Sequence, residues 1–169
     1  MPVTTVSDQI LLALFLGLLA WAALSDGIRF RIPNAASLGV ALLYPAHVAA
    51  SPAPVDWIGG LVLAALLFLF GVGLFARGLV GGGDVKLLSA SALWAGPHLI
   101  LPFLIVMGFT GGLLAVAVWG AQRLRRVKAA ASSSESPESG AQAELAERVP
   151  YGIAIAAGAA FAGLHLWIG

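Results

Sequence analysis

The chain has 169 residues, 60% hydrophobic and only 10% charged, with a mean hydropathy of +0.96 and a formal net charge of +1. Soluble domains carry about a quarter charged residues, so this is the composition of a polytopic membrane protein whose main surroundings are the lipid bilayer. Balanced charge without a basic, aromatic-interleaved patch speaks against nucleic acid as a partner, and the lack of cysteine excludes disulfides, thiolate metal sites and thiol nucleophiles.

The opening stretch, "MPVTTVSDQILLALFLGLLAWAALSD", has no positively charged region of the kind that precedes a cleavable signal peptide. Its apolar run is therefore expected to be a retained span. Six apolar segments follow in chain order, at 10–24, 35–50, 57–76, 85–95, 98–119 and 150–168. The fourth is shorter than the roughly 20 residues that a perpendicular crossing needs.

Basic residues supply an independent test. Arg29 and Arg31 lie in the first connection, and Arg77 and Lys86 lie around the third. Arg123, Arg125, Arg126, Lys128 and Arg148 lie in the fifth. With six spans all of them share one side, which the positive-inside rule makes cytoplasmic, and both termini fall outside. The expected fold is all-α, one transmembrane domain over 1–169 with about six helices. Residues 129–147, "AAASSSESPESGAQAELAE", are expected to form a disordered cytoplasmic loop. In the last segment Gly152, Ala156, Ala159 and Gly163 recur at helical spacing and predict a packing face. His47, His98 and His165 fall in separate segments without ligand spacing. Neither a metal nor another cofactor is expected, and each histidine reads as an interfacial side chain.

Topology sorts the acids. Asp8 and Asp56 belong to the outer side, and Glu135, Glu138, Glu144 and Glu147 to the expected loop. Asp26 and Asp84 remain, both cytoplasmic-side and both against the end of a span. Asp26 opens "DGIRFRIPN", in which Gly27 can stop a helix and Pro33 followed by Asn34 can cap the next. Asp84 follows Gly81, Gly82 and Gly83, whose freedom in φ/ψ allows close approach of another backbone such as an extended peptide. Two carboxylates sharing a proton can hydrolyse a peptide bond, one taking a proton from water while the other donates to the carbonyl or leaving group. The alternatives are a juxtamembrane charge at Asp26, an ordinary N-cap at Asp84, or an ion path.

These residues resemble a known family. "GGGD", Gly81 to Asp84, matches the GxGD motif of membrane aspartyl peptidases. "DGIRFRIPN", Asp26 to Asn34, is similar to the first-aspartate motif of type IV prepilin peptidases, especially the short forms serving tight-adherence (Flp) pili, and "VPYGIAIAAG", Val149 to Gly158, is similar to their last-span opening. The resemblance implies an enzyme of the bacterial cytoplasmic (inner) membrane that cuts the basic leader from a prepilin substrate. It implies Asp26 and Asp84 as the catalytic pair and Gly81, Gly82 and Gly83 as the active-site turn. Lys86 matches a commonly basic position, serving substrate or snorkelling to head groups. Pro33 and Asn34 would set the turn into the second span. Arg29 and Arg31 would anchor the topology, and Tyr151 would be an interfacial aromatic. Longer members also N-methylate the product and often carry a cysteine-based metal site; without cysteine, peptidase activity alone is expected. The rivals are a GxGD peptidase for preflagellins or signal peptides, and a non-enzymatic transporter or secretion-assembly subunit.

Overall fold

The computed structural model describes residues 5–131 and 150–168. The described residues form five helices and no strand: α1 (Val6–Arg29), α2 (Asn34–Ala50), α3 (Trp57–Ala76), α4 (Gly82–Ala131) and α5 (Tyr151–Ile168). The expected loop at 129–147 lies outside the described residues from 132 onward, and 129–131 continue α4.

Each boundary has a local cause. Thr5 caps α1 by accepting from the Asp8 amide at 3.2 Å, with Asp8 in the first turn where an anion is favoured. Gly27 does not end α1, contrary to the sequence expectation. The helix continues to Arg29 and closes at Phe30, in the left-handed region at φ 50°, whose N–H donates to the Asp26 carbonyl at 2.8 Å. Asp26 therefore sits on the last turn of a rigid helix. Pro33 occupies the N-cap of α2 at φ −62° and ψ 130°, so Asn34 is the first helical residue. Asp56 caps α3 through the Gly59 amide at 2.9 Å.

The fourth and fifth predicted segments are two arms of α4, 82–95 and 97–131, joined at Gly96. Gly96 has φ 55° and ψ −174°, and the Pro97 that follows needs no hydrogen-bonding partner for its nitrogen. Residues 84–88 and 104–115 line one cavity, so the chain reverses at Gly96. By length and composition α1, α3 and the 43-residue stretch Gly82–Leu124 can cross a membrane; the apolar stretch of α5 is shorter.

Pairing runs antiparallel between α1 and α2, where Gly39 meets Leu18, and between α1 and α5, where Gly163 meets Phe15. The core is built from Leu12, Phe15 and Leu19 of α1, Val40 and Tyr44 of α2, Leu87, Trp94 and Phe103 of α4, and Ile155 and Ala159 of α5. Phe15 stacks on Trp94 with centroids 4.2 Å apart, and the Trp94 indole N–H donates to the Val40 carbonyl at 2.9 Å. The packing face predicted for α5 is largely buried, with Gly152, Ala156, Ala159 and Gly163 all facing inward. By contrast α3 rests chiefly on α4 and buries only Gly60, Ala64 and Gly71.

Close approach between α4 and α5 depends on Gly158. A Cβ there would stand 2.6 Å from the Phe103 carbonyl oxygen, a backbone atom that cannot step aside. Gly158→Ala is expected to cost about 1–3 kcal/mol, read as a lower midpoint in reversible unfolding in detergent.

Candidate active site

The bundle has two chemically distinct ends. At one end the last turn of α1, the first turns of α4 and α5, and the α1–α2 connection converge. Asp26 is 6% exposed, and its Oδ2 accepts from the Gly152 amide at 2.7 Å, across 126 residues of chain. The next amide, of Ile153, donates to the Pro150 carbonyl at 3.2 Å and lies close enough to favour the charged form of the same carboxylate. Helix N-terminal amides lack intrahelical partners, so the start of α5 is a ready anion holder. Asp84 is half-buried and close enough to Asp26 for each charge to act on the other. The two carboxylates of the sequence expectation are thus brought together.

Asp84 is not the N-cap of α4. It is the third residue of the helix and accepts from the Gly81 amide behind it, the reach-back half of a capping box. Gly81, Gly82 and Gly83 do not adopt left-handed torsions either; in this connection only Gly78 has a positive φ, 71°. Their smallness serves proximity instead. A Cβ on Gly81 would lie 2.7 Å from the Asp84 carboxylate, and one on Gly83 would lie 3.1 Å from the Cβ of Ile32.

Ile32 and Gly152 were not singled out as site residues in the sequence. Ile32 fills the space between Gly83 and Gly152, and its segment is fixed by the Ser25 hydroxyl donating to the Arg31 carbonyl at 2.9 Å. Gly152 lets a backbone amide reach Asp26 where a side chain would collide. The motif similarity at 149–158 pointed to this stretch, but no pattern tied it to Asp26.

Lys86 and Asn34 stand beside the pair. The Lys86 ammonium donates to the Asn34 Oδ1 at 3.0 Å, linking the starts of α4 and α2. Lys86 is exposed but does not simply reach outward. Pro33 contributes only the turn. Asp84 also opens on an apolar cavity of about 520 Å³, walled by α3, both arms of α4 and α5, with Tyr151 at its edge.

The other end holds a second polar cluster. His47 is buried, not interfacial: it is 4% exposed, its Nδ1 lies 2.5 Å from Asp8 Oδ1, and it stacks on Trp94 at 4.8 Å. All three histidines line one cavity of about 330 Å³ with Asp8 and Asp56. Among the described residues no three ligand-type side chains stand close enough to share a metal ion.

An all-helical membrane protein with paired carboxylates at one bundle end defines a class. The sequence profile described as the type IV leader peptidase family matches residues 13–116, well over half of the chain and including both Asp26 and Asp84. The chain belongs to that family, and it is a membrane peptidase of the leader-peptidase kind. No curated protein and no solved structure matches it. The matched residues end before α5, so Gly152 enters the site on geometry alone.

Proposed function

We propose that this chain is an aspartic endopeptidase of the bacterial inner membrane that removes the leader of Flp-like prepilins at the cytoplasmic face. The observation that carries this reading is the meeting of Asp26, held by the Gly152 amide, with Asp84 on the first turn of α4. In the reaction one carboxylate takes a proton from water as its oxygen attacks the scissile carbonyl. The other gives its proton to the carbonyl oxygen, and the pair returns a proton to the leaving amine as the C–N bond breaks. The reading includes six crossings with α4 supplying two, the carboxylate end and the basic residues cytoplasmic, and hydrolysis without methyl transfer.

The test is processing of a prepilin in membranes containing either the wild type or Asp84→Asn, with the new N-terminus identified by mass spectrometry. One defined cut by the wild type, absent in the inserted and folded variant, is the expected result. An equal cut by Asp84→Asn would sink the mechanism.

Gly152 is a positioning residue in this reading. A Cβ there would be 2.8 Å from Asp26 Oδ2 and 2.8 Å from Ile32 Cδ1. Gly152→Ala is expected to slow cleavage about 100-fold, because a displacement near 1 Å at a reacting group has that effect. Gly152→Ala cleaving at the wild-type rate would show that Asp26 does not depend on this amide.

A further inference from the structure

A second groove, about 800 Å³, runs between α2, α3 and the first arm of α4. It exists because α3 rests chiefly on α4 and leaves the flank of α2 uncovered. Its walls are apolar over most of their length, including Leu38, Ala41, Ala65, Phe68 and Leu93. Its polar features are graded. At one end stand Lys86 and Asn34, joined at 3.0 Å. Among the described residues no carboxylate lies within ion-pair distance of Lys86. The Asn34 Oδ1 is used by Lys86, which leaves its amide N–H donors available.

Three residues further along α2, about 4.5 Å deeper at a 1.5 Å rise per residue, comes Ser37. It is 5% exposed and lines the groove, and its Oγ has no hydrogen-bond partner. A buried hydroxyl without a partner is costly, and rotation about χ1 turns it toward the groove with no bond lost. Ser89 on the facing wall is already satisfied, donating to the Val85 carbonyl at 2.8 Å.

We propose that this groove is a binding site for one anionic phospholipid. The phosphate sits against the Lys86 ammonium and the Asn34 amide at the helix starts. Ser37 donates to an ester carbonyl one turn deeper, and an acyl chain lies along Ala41, Ala65 and Leu93. The order cation, hydroxyl donor, apolar wall matches the order phosphate, ester, hydrocarbon in a glycerophospholipid. An apolar protein helix fits the deep walls but leaves the cation without a partner. The site is distinct from the cavity beside Asp84, and binding does not depend on the peptidase reading. Occupancy would brace α2 against α4, whose first turn carries Asp84.

The test is native mass spectrometry of the whole chain in detergent, titrated with phosphatidylglycerol or with phosphatidylcholine of the same acyl chains. One lysine beside an anionic headgroup supports about a fivefold preference for phosphatidylglycerol. Lys86→Gln is expected to abolish that preference. Ala65→Trp, at an exposed position on the groove wall, is expected to reduce retention of both lipids while the thermal unfolding profile stays unchanged. Inorganic phosphate at the same concentrations is expected to displace nothing, since the acyl chain supplies most of the burial. Equal retention of the two lipids by the wild type, or an undiminished preference in Lys86→Gln, would overturn the proposal. So would photocrosslinking from position 38 that captures the precursor protein and no lipid.

Discussion

Asp26→Asn, Asp84→Asn and the double variant are expected to lose cleavage to the same degree, each at least about 100-fold. An isosteric amide keeps the volume and part of the hydrogen bonding but cannot exchange the proton. Residues that work as a unit are strongly non-additive, so the second substitution removes nothing that the first left in place. The hydrogen bonds suggest why Asp26→Asn will not be silent structurally. The Gly152 amide donates to this carboxylate at 2.7 Å, and an asparagine can offer it only the carbonyl oxygen, which turns an amide NH2 toward the start of α5. Unfolding midpoints must therefore be measured beside the rates. Asp84 has one backbone donor, Gly81, and its asparagine variant is the cleaner probe. Cleavage against pH should be bell-shaped, since the pair works with one proton between two carboxylates. Independent, multiplying losses in the double variant would show two separate roles and no dyad.

How far the sequence reaches depends on what each feature signals. In a chain this poor in charge, Asp26 and Asp84 stand out, and topology alone places them at one bundle end. The same sparseness exposes Lys86. The all-α class also follows from composition, whereas the six separate segments expected become five helices among the described residues, with Gly96 and Pro97 marking the reversal inside α4. Rotation about each helix axis does not follow. A helix that is apolar all round shows no stripe to say which face is inward, so amphipathic periodicity has little to work with. That is why His47, read as interfacial, and Asp8, read only as an outer-side acid, prove to be buried against one another. The Gly152 contact is hidden for a different reason: its donor is a backbone amide, which every residue but proline possesses. For the three glycines before Asp84 the expected torsional freedom is not used, while close approach at Gly81 and Gly83 is, because sequence shows the missing Cβ but not which of the two requires it.

His47→Ala is expected to be among the most destabilising single changes in the chain, lowering stability by about 3 kcal/mol in reversible unfolding from detergent. The change strands Asp8, 2% exposed, beside a cavity, and removes the ring stacked on Trp94. Asp8→Ala should cost a similar amount by stranding His47. The penalty comes from leaving one polar partner buried alone, not from the strength of the pair itself. Replacing both with apolar residues of suitable shape, Asp8→Leu with His47→Phe, should therefore recover most of the loss, since the phenyl ring retains a stack on Trp94. Cleavage by the folded fraction should stay at the wild-type level in all of these variants. Asp8 and Asp26 lie on the same straight helix 18 residues apart, about 27 Å at 1.5 Å per residue, which is too far for direct action on the carboxylate pair. The pair then acts as a clasp joining the start of α1 to the end of α2, reinforced by the Thr5 hydroxyl donating to the Ala50 carbonyl at 3.2 Å. A double variant that folds as stably as the wild type but no longer cleaves would overturn that assignment and give the buried histidine a part in the chemistry.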